Sequence, residues 1–139
     1  MIDPLLLTLL LVGHFVADFL LQPRWMGTRK SSELGPWALH VAVIFLVVPI
    51  PFLVLSGNRW TSEWFFFACA NAAAHGAIDA TIWNLYKLRW APAVRSGRVR
   101  REDVRYWEDH WFYATIGLDQ LQHALTIVGL LWALSLGGN

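Results

Sequence analysis

Four long apolar stretches dominate the chain and restrict the folds that are open to it. They cover residues 4–22, 36–56, 61–83 and 111–136. A helix needs about 20 apolar residues to cross the roughly 30 Å hydrocarbon core of a bilayer, so each stretch is long enough to span it. The sequence therefore predicts an all-α fold, a four-helix integral membrane bundle that forms one transmembrane domain over residues 1–139.

Composition agrees with a membrane protein and excludes several other classes. Hydrophobic residues make up 56% of the 139 residues and charged residues 15%, with a mean hydropathy of +0.42. The net charge of +1 provides no basic field for nucleic acid, so we expect no nucleic-acid partner and expect membrane lipids instead. The single cysteine, Cys69, excludes both an internal disulfide and a zinc site built from paired cysteines.

Basic residues are unevenly distributed over the links between the stretches. All but one of the eleven basic residues lie in two links, the link between the first and second stretches and the link at residues 84–110. They are Arg24, Arg29, Lys30, Lys87, Arg89, Arg95, Arg98, Arg100, Arg101 and Arg105. With four spans these two links share a side, and basic loops remain cytoplasmic. The sequence predicts a cytoplasmic loop at 84–110, both termini on the non-cytoplasmic side, and a multi-pass protein of the plasma membrane.

Histidines and aspartates recur inside the apolar stretches, where ionisable groups are costly and usually mark function. Three stretches carry one of each, four residues apart and hence on one helix face, and the second stretch adds a histidine. The seven residues are His14 and Asp18, His75 and Asp79, Asp119 and His123, and His40. The pairing predicts one polar stripe on each of three helices.

The depth of these residues predicts a single cluster. Asp18 and Asp79 each lie four residues before the cytoplasmic end of their stretch, about 6 Å along a helix. The fourth stretch runs the other way, and there Asp119 precedes His123. In all three pairs the aspartate is therefore shallower than the histidine, so we expect all seven side chains to meet in the cytoplasmic half of the bundle.

Imidazoles and carboxylates without a thiolate suit a divalent transition metal, most of all zinc, with iron, manganese or nickel as alternatives. The seven residues exceed the three or four protein ligands of one zinc ion, so they could hold one or two ions, or one ion with aspartates that orient the histidines. Asp18, Asp79 and Asp119 are also candidate general bases. Hydrogen bonds between helices are the structural alternative.

Three further polar residues are candidates for substrate binding. Gln22 and Gln120 could donate amide hydrogens to an oxyanion, although bonds between helices explain them equally well. Lys30 is expected just outside the cluster on the cytoplasmic side, where it could hold a phosphate or act as one more topology-setting charge.

These residues carry a resemblance to a known family. The motifs are HFVADFLLQ at 14–22, LH at 39–40, HGAID at 75–79 and LDQLQH at 118–123. They resemble a family of small bacterial and phage integral membrane proteins that is catalogued as a domain of unknown function. The same pattern is more loosely similar to the membrane-bound metal-dependent hydrolases. The resemblance implies a bacterial inner-membrane location and, from the looser similarity, a hydrolase.

Two functional classes remain open beside a purely structural role. One is a membrane-embedded metal-dependent hydrolase acting on a lipid-like or membrane-associated substrate. The other is a divalent metal or proton transport protein, which would need access from both sides and, with only four spans, a homo-oligomer. The outer halves at 5–12 and 128–136 contain only Thr8 and Ser135 as polar side chains. A one-sided site of this kind favours the enzyme.

Overall fold

Every regular element in the described part of the chain is a helix. The computed structural model of the protein describes residues 2–55, 62–98, 100, 105 and 108–137. The helices are α1 (Pro4–Phe15), which continues as a π-helical turn (Val16–Leu20), α2 (Arg24–Arg29), α3 (Leu34–Val47), α4 (Ile50–Leu55), α5 (Ser62–Leu88), α6 (Ala91–Arg95) and α7 (His110–Gly137). The all-α prediction is confirmed.

Some helix bounds differ from the predicted stretches. The first helix stops at Leu20 instead of residue 22, because Pro23 disfavours helical geometry just before it. The prediction of a loop over 84–110 is wrong at its start, because α5 continues to Leu88 and α6 forms inside the link. Pro92 lies in the first turn of α6, where its missing N–H leaves no hydrogen bond unmade. The predicted end of the second stretch, residue 56, and the predicted start of the third, residue 61, lie outside the described residues.

Two prolines interrupt the second apolar stretch, as the sequence suggests. α3 ends at Val47 and α4 begins at Ile50, with Pro49 between them and Pro51 in the first turn of α4. Proline lacks the amide hydrogen that continues a helix and clashes with the preceding turn. The break lets α4 pack against α1 while α3 packs against α5.

One helical segment in the described ranges, Leu34–Leu55, is long and apolar enough to cross a membrane, with a mean hydropathy of 2.7. This test uses length and composition alone, and the core helix of a soluble protein can also meet it. The segment Pro4–Leu20 is apolar but shorter. The four predicted spans are therefore present as helices, and one of them meets the criterion for a membrane span.

Neighbouring helices run antiparallel, and a glycine allows one close approach. On α1 and its π-helical extension, Asp18 lies beside His40 of α3, whereas Gly13, five residues earlier, lies against Val48, eight residues after His40. The two segments therefore run in opposite directions.

At Gly76, α5 and α3 approach closely. A Cβ on Gly76 of α5 would come within 2.8 Å of Val41 and 2.9 Å of Trp37 on α3. The indole of Trp37 also donates to the Gly76 carbonyl at 3.0 Å. Any side chain at position 76 would therefore push α3 away.

The interior has an apolar layer and a polar layer. The apolar layer consists of buried side chains from α1, the π-helical turn, α3, α5 and α7, together with Val48 after α3: Leu10, Ala17, Ile44, Val48, Phe67, Ala72, Ile127 and Leu131. The polar layer holds buried histidines, aspartates and a lysine. Large apolar side chains instead cover the outside of the long helices, for example Leu20, Leu46, Phe65 and Leu125. The buried polar layer therefore lies inside the bundle, next to the apolar layer, while the outer surface of the long helices is covered by apolar side chains.

Candidate metal centre

The structure brings all seven histidines and aspartates singled out in the sequence into one buried cluster. None of them exposes more than 5% of its surface: His14, Asp18, His40, His75, Asp79, Asp119 and His123. Because α1, α3, α5 and α7 all contribute, the cluster exists only when the four helices are packed together. We call these seven residues the His/Asp cluster.

A π-helical turn presents the aspartate of the first helix. Leu21 N donates to Val16 O at 2.9 Å, so each turn here closes over five residues. Such turns widen a helix locally and are frequent at functional sites. Asp18 lies in the middle of this turn and is buried, while the neighbouring Phe19 and Leu20 are exposed.

On one side of the cluster, His40 and His75 meet two carboxylates. His40 Nε2 lies 3.2 Å from Asp18 Oδ1 and 3.3 Å from Asp79 Oδ2. His75 Nε2 lies 2.9 Å from His40 Nε2 and 3.3 Å from Asp79 Oδ2. Nitrogen and oxygen atoms from α3, α5 and the π-helical turn that follows α1 therefore converge, each within 3.3 Å of its partner.

The other side is built by α7. His123 Nε2 lies 3.6 Å from Asp119 Oδ1 and 3.9 Å from Asp79 Oδ1. The rings of His75 and His123 stack with centroids 3.8 Å apart and planes 14° apart. Asp79 thus faces both sides of the cluster, with one oxygen toward each.

Lys30 occupies a place that the sequence did not indicate. Its Nζ lies 2.9 Å from Asp79 Oδ2, 3.1 Å from Asp18 Oδ1 and 3.1 Å from His40 Nε2, and 5% of the residue is exposed. The prediction that it lies outside the cluster, solvated or free for a phosphate, is wrong. The signal in the sequence that could have placed Lys30 inward is the apolar Met26 four residues before it, one turn earlier on the same face.

The two glutamines have different positions. Gln120 lies within the cluster, where its Nε2 donates to Asp18 Oδ2 at 2.7 Å and to Asp119 Oδ2 at 3.2 Å. Its Oε1 lies 3.3 Å from His14 Nε2, which must donate because an amide oxygen only accepts. The Gln22 amide packs over Gly27, and among the described residues no hydrogen bond joins Gln22 to the cluster. The structure therefore brings Gln120 and Lys30 to the site, but not Gln22.

Three sets of cluster residues could hold a metal ion, because their ligand atoms lie within 4.8 Å of one another. The sets are Asp18, His40 and His75; His75, Asp79 and His123; and Asp18, Asp119 and His123. All of these residues are buried. Imidazole nitrogens and carboxylate oxygens are the donors that divalent transition metals take in proteins.

Three buried atoms test whether the cluster fits a cation. Asp79 Oδ1, Asp119 Oδ1 and His123 Nε2 have no hydrogen-bond partner within the described ranges. Buried polar atoms without partners are costly, and a metal ion in one of these sets would satisfy His123 Nε2 together with an oxygen of Asp79 or of Asp119. In charge, three buried carboxylates face one ammonium, so with neutral histidines a divalent cation would also balance the two remaining negative charges. The residues present therefore fit a divalent metal.

Comparisons with known proteins identify a family and no activity. No curated protein and no solved structure matches the chain, so the looser similarity to metal-dependent hydrolases stays a prediction. The resemblance to a family of unknown function is confirmed by a match over residues 6–137, which covers the four long helical segments almost completely. The chain belongs to the family described as "Protein of unknown function (DUF3307)".

Proposed function

We propose that this protein is a four-helix integral membrane bundle whose His/Asp cluster binds a divalent transition metal, zinc above all, and hydrolyses a lipid-like or membrane-associated substrate. One observation carries the proposal. His123 Nε2 lies between two buried carboxylate oxygens, 3.6 Å from Asp119 Oδ1 and 3.9 Å from Asp79 Oδ1, and none of these three atoms has a hydrogen-bond partner in the described structure.

The distribution of side chains supports a membrane location. Among the described residues ten polar or charged ones are buried, while large apolar side chains such as Leu46, Phe65 and Leu125 expose more than half of their surface. Only 28% of the most apolar window of Leu34–Leu55 is buried inside the bundle. In water an apolar exterior of this kind costs about 25 cal/mol for each Å² and leads to aggregation, whereas lipid solvates it.

The ligand set supports a catalytic rather than a structural metal site. Each candidate set, for example His75, Asp79 and His123, would supply three protein ligands, which would leave a coordination position for water or substrate, as in catalytic zinc sites. When bound, a divalent metal supplies a Lewis acid that activates water and polarises the scissile group. The protein's own residues must then hold the ion and receive the proton.

His14 is placed to receive that proton. Its Nε2 donates to Gln120, so its Nδ1 keeps the lone pair of the neutral ring. The His14 ring lies 5.0 Å from the ring of His123 and 5.3 Å from that of His75. Asp18, by contrast, accepts hydrogen bonds on both oxygens. We therefore assign the general base to His14 rather than to one of the three aspartates.

The apolar layer favours an enzyme over a transporter. Leu10, Ile44, Phe67 and Ile127 are fully buried and pack together beside the cluster. A transported ion or proton would need polar groups through this layer, because charge is costly in an apolar interior. A hydrolase needs access from one side only.

A cavity near the cluster supports an amphiphilic substrate. It has a volume of about 650 Å³ and combines apolar side chains such as Leu85 and Leu88 with the basic Lys87 and Arg95. No residue of the His/Asp cluster lines it. Lys87 Nζ donates to the hydroxyl of Ser31, which follows Lys30 in the chain. A lipid with an anionic headgroup suits this lining, because its acyl chains would contact the apolar side chains and its headgroup would pair with the basic ones.

Two measurements on the detergent-purified protein test the proposal. Elemental analysis of protein prepared without a nickel column is expected to show stoichiometric zinc. Mixed phospholipid vesicles are then expected to release fatty acid or a phosphorylated headgroup in the presence of the zinc-loaded protein, and Asp119→Asn is expected to abolish the release. Substoichiometric metal after zinc supplementation would contradict the metal centre, and equal turnover by Asp119→Asn would contradict catalysis at this site.

A further inference from the structure

We infer that the cavity between the end of α5 and α6 binds one anionic phospholipid, whose phosphate group pairs with Lys87 and Arg95. The inference rests on the membrane location in the proposed function and names the class of lipid that the protein recognises. It does not depend on the metal centre, because no residue of the His/Asp cluster lines this cavity. The volume of about 650 Å³ lies within the usual range of ligand pockets.

The walls of the cavity are formed largely by two helices. Thr81, Leu85 and Leu88 of α5 are four and three residues apart, so they share one face of that helix. Val94 and Arg95 belong to α6, which follows α5 after a turn at residues 89–90 and packs against it. The helical backbone therefore sets the distance between the apolar and the basic side chains of the lining.

The lining suits both parts of a phospholipid. Leu85 and Leu88 expose 61% and 59% of their surface, an apolar area that acyl chains would cover. Arg95 offers a planar fork of N–H donors that matches a phosphate group, and Lys87 adds a second positive charge. Trp90 also lines the cavity, and tryptophan is enriched where a membrane meets water.

The charge of the surrounding chain favours an anionic lipid. Residues 80–101 include six basic residues and neither aspartate nor glutamate. Basic segments next to a membrane attract anionic headgroups and gain little from zwitterionic ones. A neutral amphiphile would use only the apolar side chains of the cavity, whereas an anionic phospholipid would use the basic ones as well.

One short segment connects the cavity with the His/Asp cluster. Ser32 lines the cavity, and Lys87 Nζ donates to the hydroxyl of Ser31. Lys30, the preceding residue, places its Nζ 2.9 Å from Asp79 Oδ2. Asp79 lies eight residues before Lys87 on α5, about 12 Å along the helix. A phosphate held by Lys87 would therefore lie about two helical turns from the cluster.

Calorimetric titration of the purified protein in a neutral detergent with short-chain phosphatidylglycerol tests the inference. Saturable binding of one lipid per chain is expected. Phosphatidylcholine with the same acyl chains is expected to bind about tenfold more weakly, because its choline cancels the charge of the headgroup. Inorganic phosphate at the same concentration should not compete, since it offers nothing to the two leucines.

Variants locate the binding in the cavity. Lys87→Met and Arg95→Gln should each weaken phosphatidylglycerol binding about fivefold, the effect of one basic residue near an anionic lipid. Arg29→Gln, at an exposed arginine outside the cavity, is the matched control and should bind like wild type. Ala91→Phe keeps every charge but places a ring in the cavity and should abolish binding.

The outcomes separate this inference from the proposed function. Equal affinity for the two lipids, competition by inorganic phosphate, or wild-type binding by Ala91→Phe would overturn the lipid site. If Ala91→Phe fails to fold, the two charge variants measured against Arg29→Gln decide. Asp119→Asn should bind phosphatidylglycerol like wild type. Selective lipid binding without zinc or turnover would contradict the proposed function alone, whereas zinc-dependent turnover without selective binding would contradict the lipid site alone.

Discussion

Lys30 Nζ lies 2.9 Å from Asp79 Oδ2, and both side chains are buried. This ion pair joins the residue that follows α2 to the middle of α5, 49 positions apart in the chain. The Lys30 ammonium gives the cluster of histidines and aspartates a buried positive charge.

Lys30→Met should destabilise the protein strongly in the presence of a chelator. Asp18 and Asp79 would lose their ammonium partner, and removing one member of a buried ion pair costs about 3–5 kcal/mol. Thermal unfolding in detergent measures the loss, and saturating zinc should recover much of it by supplying the missing charge. Lys87→Met should unfold close to wild type, so an equal loss in both variants would contradict a special role for Lys30.

Metal removal should lower the stability of the wild-type protein. A ligand present at about 1,000 times its dissociation constant adds about 4 kcal/mol to the free energy of unfolding. A chelator should therefore lower the unfolding temperature, and added zinc should restore it. Asp119→Asn should show no zinc-dependent shift, because it removes a carboxylate that lies 3.6 Å from His123 Nε2 within a candidate metal set. A shift of the same size in this variant would place the ion elsewhere.

His14→Asn should separate proton transfer from metal binding. Losing a general base lowers turnover by about 10²- to 10⁴-fold, whereas His14 belongs to none of the three candidate metal sets, so metal binding should be unchanged. Release of product from phospholipid vesicles and elemental analysis should thus diverge in this variant. His110→Asn, at an exposed position at the start of α7, is the control and should change neither quantity. Zinc lost in parallel with turnover would make His14 a ligand instead.

Gly76→Ala should loosen the contact between α3 and α5. The new Cβ would come within 2.8 Å of Val41 and 2.9 Å of Trp37, and overpacking of this kind costs about 1–3 kcal/mol. Gly117→Ala, where nothing lies within 4 Å, should instead stabilise α7 by up to about 1 kcal/mol through helix propensity. Unfolding temperatures in detergent compare the two. Equal effects would mean that the close approach at Gly76 is unimportant.

Topology should follow the basic residues. A cysteine label or reporter placed at Gly97 should be accessible from the cytoplasm, and one after residue 138 should be accessible from outside. The opposite pattern, or termini on different sides of the membrane, would contradict the four-span bundle. It would also remove the argument that the His/Asp pairs lie at a common depth.

Local patterns in the chain were enough to determine the helices and the membership of the cluster. Apolar length predicts the long helices, and the spacing of four between His14 and Asp18 places both on one helix face. The order of Asp119 and His123, reversed on a helix that runs the other way, predicts a common depth. Proline chemistry likewise predicts the break between α3 and α4. These are properties of residues close together in sequence.

Only the tertiary structure decided which atoms meet. The position of Lys30 depends on how the short helix α2 turns back against α3, and Gln120 acquires its role because α7 lies beside the π-helical turn of α1. The end of α5 at Leu88 and the place of α6 likewise differ from the stretches read along the chain. Lys30 contacts side chains 10 to 49 residues away, and Gln120 contacts Asp18 and His14, which are 102 and 106 residues away. Helical periodicity relates residues only a few positions apart, so contacts between residues this far apart in sequence are set by the packing of the helices.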